Sequence, residues 1–338
     1  MTIETRIQAF IQLGNLIRTL ATDQKEELFA RAENRNNWFT HSNCQDALEG
    51  VSTLLEEEKL RTWLAAYSLV DDPTSKKIGV LMAGNIPFVG FHDLMTVLIS
   101  GHHAHVKLST ADEVLMKWII DRLVEIEPEL KDRIVISDML KGRDAYIATG
   151  SDNSARYFSY YFGKYPSIIR KNRTSIAIFD GTESEEELRN FGTDVFQYFG
   201  LGCRNVSKIF VKNQSQLIKL LDNLEGYQSI VHHHKYRNNY DYNKSIYLVN
   251  GEPHLDNGFL ILRESEELVS PISVLYHSFY EDKESLEKEL EIQKNKIQCI
   301  VANPKVWEKA VQFGSAQRPE VWDYADGVDT MDFLIGLN

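Results

Sequence analysis

The sequence is short of several things that define whole classes of protein. It has three cysteines in 338 residues, Cys44, Cys203 and Cys299. Three thiols leave one over in any pairing, so they build no disulfide framework. None stands in CxxC spacing, which removes the usual ligand pattern of a structural zinc site. An excess of positive charge is lacking too. With 37 basic and 49 acidic side chains the formal net charge is −12. No basic stripe dominates such a surface, and no nucleic acid is expected as a partner. No apolar run approaches the ~20 residues of a membrane span. The opening stretch MTIETRIQAFIQLGNLIRTL carries no cationic start, long apolar run or small-residue cleavage site. It reads as a packing helix rather than a signal peptide. There is no repeat of fixed period, no low-complexity linker and no GxGxxG dinucleotide fingerprint.

What is present is an ordinary globular balance, 43% hydrophobic and 25% charged, at a length that fits about two domains. The few thiols are expected to stay reduced, as in a cytoplasmic protein. Residues 1–70 read as helical. Ile7, Phe10, Ile11, Leu13, Ile17 and Leu20 recur at roughly helical spacing. Thr2 and Asp23 are expected N-caps, and Asn43 or Gln45 is expected to open a third helix. The pattern changes at Pro73. Strands are expected at 77–84, 105–108, 133–136 and 145–148, with helices at 88–100, 111–126 and 152–162 between or after them. A second set follows, with strands at 175–179, 207–211, 272–277 and 297–301 and helices at 183–199, 214–224 and 283–294. Alternation at these lengths predicts βαβ units and parallel sheets with right-handed crossovers. The fold class is α/β. The expected parts are a helical region (1–72), two α/β domains (73–173 and 174–312) and a C-terminal segment (313–338). The final apolar run, 333–337, is read as a strand returning across the domains or to a partner subunit.

Cys203 stands out among the thiols. It follows a Gly200-Leu201-Gly202 turn in YFGLGCRNVSKIFV and precedes a strong strand. Glycines there let the backbone take unusual angles and approach a ligand. Arg204 beside it favours a thiolate. A small buried hydrophobe is the other reading of the same window. Cys44 and Cys299 read as packing residues. A second feature lies beyond three expected strands, which end in Gly84-Asn85, in Lys107-Leu108-Ser109-Thr110 and in Thr149-Gly150-Ser151. The carboxyl ends of parallel strands are where open α/β sheets bind ligands. Gly150-Ser151 opens a helix whose N–H groups suit a phosphate. His102, His103 and His105 do not share one strand face and suggest no metal site. The run His232–234 reads as a solvated helix face, and DYADGVDTMDF (323–333) as a structural loop, since it lacks the closing glutamate of an EF-hand.

Taken in order, these segments resemble the aldehyde dehydrogenase superfamily, and more closely its long-chain acyl-CoA reductase branch, the family of the bioluminescence fatty-acid reductase. The resemblance runs from about residue 77 to residue 337. Its most specific parts are GLGCRNVSKIFV and the tail FGSAQRPEVWDYADGVDTMDFL. It implies an aldehyde-dehydrogenase-like fold, with two doubly wound α/β domains and an N-terminal helical region. In it Cys203 matches the nucleophile and Asn85 the asparagine that helps hold an oxyanion. Lys107, with Ser109 and Thr110, matches the segment at the adenosine ribose. Gly150 and Ser151 match the pair at the pyrophosphate, and Glu267, in ELVSPI, matches the glutamate at the nicotinamide ribose.

Two departures sharpen the expectation. Aldehyde-oxidising members carry a glutamate that activates water, and the corresponding stretch here, SIIRKNRTS (167–175), has no acid. An acyl group on the thiol then survives for CoA or a reductant. Thr110 stands where many NAD-specific members have glutamate, so NADPH is the expected cofactor, with NADH also accepted. The implied reaction is reduction of an acyl-CoA or acyl-carrier thioester to the aldehyde, by a homo-oligomer. A CoA-acylating aldehyde dehydrogenase uses the same residues in the other direction. A non-catalytic acyl-binding subunit is the alternative outside enzymes. Because the cofactor and CoA are polyanions and the chain is acidic, Lys107, Arg170, Lys171, Arg173 and Arg204 are the cations expected near them.

Overall fold

The computed structural model describes residues 1–71, 74–150 and 152–337. Pro73 and Ser151 lie outside the described residues. The chain divides into two compact units, one made of Met1–Asn172 with Glu320–Asn338 and the other of Arg173–Pro319.

The first unit begins with four helices, α1 (Ile3–Thr19), α2 (Thr22–Arg35), α3 (His41–Leu54) and α4 (Glu57–Leu64). Thr2 caps α1, its hydroxyl accepting from the Thr5 N–H at 3.1 Å. Asp23 is not a cap. It lies in the first turn of α2 behind Ala21, where a carboxylate suits the positive end of the helix dipole. Neither Asn43 nor Gln45 opens α3; Thr40 does, accepting from the Asn43 N–H at 3.3 Å. Arg6 is buried and donates to the carbonyls of Ile99, Met1, Asp71 and Val70, tying α1 to the sheet region.

The sheet elements follow in the order β1 (Lys77–Leu81), α5 (Phe91–Ile99), β2 (His103–Lys107), α6 (Glu113–Ile126), β3 (Ile134–Ile136), β4 (Ala145–Thr149), α7 (Asp152–Phe162) and β5 (Ser167–Arg170). All five strands are parallel, in the order β3-β2-β1-β4-β5. The strand order reverses at β1/β4. Leu81 pairs with both Lys107 and Ala148, so the carboxyl ends of β1, β2 and β4 share one edge.

The second unit contains β6 (Thr174–Ile178), α8 (Glu185–Phe196), β7 (Val206–Val211), α9 (Gln214–Asn223), α10 (His234–Asn250), β8 (Leu255–Asp256), β9 (Ile261–Glu264), β10 (Val274–Phe279), α11 (Lys283–Gln293) and β11 (Ile297–Val301). The sheet order is β11-β6-β7-β10-β9-β8, parallel except for the short edge strand β8. Ile176, Ile178, Phe210, Leu286 and Leu290 pack one face of it into a dry core.

The last stretch corrects the expectation of a strand at 333–337. It forms a helix, α12 (Thr330–Ile335), started by Asp329, whose carboxylate accepts from the Asp332 N–H at 2.8 Å. Met331 and Leu334, one helical turn apart, are fully buried. The tail is held to the first unit by buried polar contacts. Tyr324 Oη accepts from Trp63 Nε1 at 2.7 Å, His92 Nε2 lies 2.8 Å from the Val321 carbonyl, and His102 Nε2 lies 2.9 Å from the Leu334 carbonyl. Among the described residues no helix is long and apolar enough to cross a membrane.

Candidate active site

In the first unit the structure brings Asn85, Lys107, Ser109, Thr110 and Gly150 to the edge formed by the carboxyl ends of β1, β2 and β4. Gly84 makes this possible at β1. A Cβ there would fall 2.3 Å from Ser109 Oγ, so only glycine lets the two strand ends approach this closely. Asn85 is exposed just beyond. Its loop is anchored three residues on by Phe88, which is buried and takes a left-handed conformation with φ 57°. A non-glycine residue holds that conformation only where its surroundings fix it. Lys107 and Thr110 are exposed, and Ser109 is half-buried. Gly150 directly follows β4, two residues before α7 begins.

An edge of this kind suits a phosphate-bearing dinucleotide. It lies at the point where the strand order reverses, it is open, and it carries an exposed lysine. The remaining cations behave differently. Arg170 is buried and consumed internally, with Nη1 2.6 Å from Asp93 and Nη2 donating to Thr330 Oγ1 at 2.8 Å. Arg173 donates to the Ile297 carbonyl at 3.3 Å, and Arg204 to the Ala316 carbonyl. Lys107 and Lys171 stay exposed.

In the second unit Cys203 lies just before β7 and is half-buried. The approach to it is contorted. Tyr198, Phe199 and Gly200 take φ values of 53°, 57° and 77° in succession. This is where the helix expected over 183–199 breaks. Its cause is Asn205, buried two residues after the thiol. The Asn205 amide donates to the carbonyls of Asp194, Val195 and Gln197, at 3.1, 3.4 and 2.9 Å. Its Oδ1 accepts from the Gly202 N–H at 2.8 Å. One side chain thus takes over the carbonyls a longer helix would have paired. His233 joins the support, its ring 4.2 Å from that of Phe199 while Nδ1 caps α10 by accepting from the Tyr236 N–H.

Two further buried groups hold the loop. Ser175 Oγ donates to the Cys203 carbonyl at 3.1 Å and lies 3.0 Å from Cys299 Sγ. Asp194 accepts from the N–H groups of Gly314 and Ala316, at 2.6 and 2.8 Å, and so fixes the FGSAQ stretch that Arg204 also grips. Burial pushes the Asp194 carboxyl up to about 6, with the two N–H donors and Arg204 pulling the other way. Glu267 is exposed on the segment linking β9 to β10. The next residue reaches the amino end of β7, where Ser207 Oγ donates to the Leu268 carbonyl at 2.6 Å.

Asn205, Asp194 and Ser175 were not singled out in the sequence, and two of them left a trace in it. Asn205 sits between a glycine turn and a strand, where asparagine side chains replace backbone partners. Asp194 is an acid sharing a helix face with Phe191 and Val195.

No family model matches the chain, and no curated protein matches it. Solved structures do. A bifunctional proline utilization A protein is similar over 90% of this chain, with a TM-score of 0.63 and 13% identity. The chain spans 36% of that protein. An oxidoreductase from Marinobacter aquaeolei is similar over 89% of this chain and 73% of its own, with a TM-score of 0.62 and 12% identity. An aldehyde dehydrogenase from Mycobacterium tuberculosis, complexed with NAD+, has the same coverage, TM-score and identity. At such identities the likeness is one of fold: this is an aldehyde-dehydrogenase-like architecture of parallel α/β sheets.

Proposed function

We propose that this aldehyde-dehydrogenase-like chain is an oxidoreductase that reduces a fatty acyl thioester to the aldehyde with NADPH, through an acyl group carried on Cys203. The observation that carries the reading is the thiol itself. A cysteine kept half-exposed on a loop with three successive left-handed residues, fixed by a buried asparagine, is more than packing requires.

The steps follow from the residues. Cys203 Sγ, as thiolate, attacks the thioester carbonyl, and the carbonyl oxygen becomes an oxyanion. Asn85 and the Cys203 N–H are the donors assigned to it, each worth about 3–4 kcal/mol of barrier. The carbon–sulfur bond to CoA breaks, and CoA leaves as a thiolate that takes up a proton. The acyl group stays on Cys203. The stretch SIIRKNRTS has no acid to activate water, and its Arg170 is buried in an ion pair, so hydrolysis has no base there. Lys107, Ser109 and Thr110 are assigned to the adenosine ribose, Gly150 and Ser151 to the pyrophosphate, and Glu267 to the nicotinamide ribose. A nicotinamide held by these residues would supply a hydride to the acyl carbon. The resulting thiohemiacetal on Cys203 loses its sulfur bond, giving the aldehyde and restoring the thiolate.

Mass spectrometry after mixing with an acyl-CoA, without NADPH, tests the reading. Wild type is expected to gain one acyl mass and Cys203→Ala none. An unmodified wild type, or equal modification of the variant, sinks it. With NADPH present, the variant is expected to lose more than about a thousandfold in cofactor oxidation.

A further inference from the structure

We propose that Arg35, at the end of α2, is the counter-ion for a phosphomonoester on the ribose of an adenosine nucleotide bound at the β1, β2 and β4 ends. The inference rests on the cofactor reading above and adds a residue to it that lies far away in the sequence. Arg35 Nε donates to the carbonyl oxygen of Thr110 at 3.2 Å. That bond fixes the guanidinium beside the residue three positions beyond β2. The Arg35 side chain is 53% exposed, so the guanidinium is open to solvent and to a ligand. Its one ion pair among the described residues is long and half-exposed: Nη2 is 3.8 Å from Glu113 Oε2, while the other oxygen of Glu113 holds Lys117 at 2.6 Å, so a phosphate competes for the guanidinium on easy terms. Lys107, the last residue of β2, is exposed. Thr110 itself offers a hydroxyl and no carboxylate.

Arg35 is thus held at Thr110, three residues beyond Lys107, where a carboxylate in place of the threonine would have selected a bare ribose diol. In dinucleotide folds a carboxylate there takes the 2′-hydroxyl of NAD, and an arginine nearby accommodates the 2′-phosphate of NADP. A guanidinium is suited to the task because its planar fork meets two phosphate oxygens at once. The acidic background gives the arrangement more weight. A chain of net charge −12 repels a polyanion on average, so local cations have to overcome that. The 2′-phosphate of NADPH is the group the geometry favours. The 3′-phosphate of CoA is the same chemistry on the neighbouring hydroxyl.

Equilibrium binding of NADPH, NADH, CoA and dephospho-CoA to the full chain separates these cases. For Arg35→Ala, NADPH is expected to bind about tenfold more weakly and NADH within twofold of wild type. Added salt should weaken NADPH more in wild type than in the variant. Thr110→Glu, which puts a carboxylate beside the arginine, should also lower the NADPH preference. A loss confined to CoA over dephospho-CoA supports the subsite and assigns it to the 3′-phosphate. If neither ratio changes in Arg35→Ala, the proposal is overturned while the cofactor reading stands. If wild type binds none of the four, the cofactor reading itself falls.

Discussion

In the first unit Asn85, Lys107, Ser109, Thr110 and Gly150 lie at or just beyond the carboxyl ends of their strands, whereas in the second Cys203 precedes β7 at its amino end. The two locations make different demands. At a carboxyl edge every strand runs on toward a helix, so N–H groups and short polar connections arise from the topology itself. Little extra support is needed, and Lys107 and Thr110 stand open to solvent. An amino edge offers no such ready-made donors. Presenting a side chain there takes a dedicated loop, and this one uses three left-handed residues and the Asn205 network. On the proposed reading, a nucleotide that comes and goes uses the open edge, and a thiol that forms and breaks a covalent bond uses the fixed one.

The contrast can be broken at several points. Asn85→Ala probes the open edge and has the largest expected effect of these. Turnover should fall about 10²- to 10³-fold, with NADPH affinity within twofold of wild type. Steady-state kinetics beside a binding titration decides it, and a loss in affinity alone would move Asn85 out of the proposed oxyanion role. Asn205→Ala probes the fixed loop. It strands three carbonyls and one N–H, and about 3 kcal/mol of stability should go with them. Urea unfolding measures that loss, and alkylation of Cys203 should speed up as the loop loosens. An unchanged midpoint would mean that the left-handed turn holds itself.

The smallest effect is a pH dependence. The Asp194 carboxyl titrates at about 6 in the folded chain, against 3.8 for the unburied group. Between those values the folded chain binds a proton that the unfolded chain has released. Its stabilising contribution is therefore complete below 3.8 and disappears as pH rises through about 6. Comparing wild type with Asp194→Asn isolates it. The stability difference should shift against wild type by about 2–3 kcal/mol on going from about pH 4 to pH 7. A flat difference across that window would remove Asp194 as the clamp on 314–316.

Much of the fold was legible because strand and helix alternate at clear lengths, and the windows around Cys203 and the three strand ends read as their positions now show. What escaped reading depended on partners distant in the chain. The helix before Cys203 stops at Phe196 because an amide in Asn205 takes its carbonyls. A five-residue apolar run such as 333–337 fits a strand or a buried helix equally, and Asp329 decides for the helix. Arg170 looked like a free cation, yet Asp93 and Thr330 claim it from either side in the sequence. In α10 the buried stripe is Tyr236, Tyr240, Asn243 and Tyr247, so its inward face carries no aliphatic signature.

The placement of Glu320–Asn338 in the first unit has a consequence for synthesis. Domains form in the order in which they leave the ribosome when their sequence is continuous. Here the first unit is interrupted by the whole of the second. Trp63, His92 and Arg170 emerge before the second unit, but Tyr324, Val321 and Thr330, which satisfy them, emerge after it. A nascent chain halted at Pro319 would hold a complete thiol-bearing unit together with an unfinished partner. The stretch that closes the first unit therefore becomes available only after the whole of the second has been made.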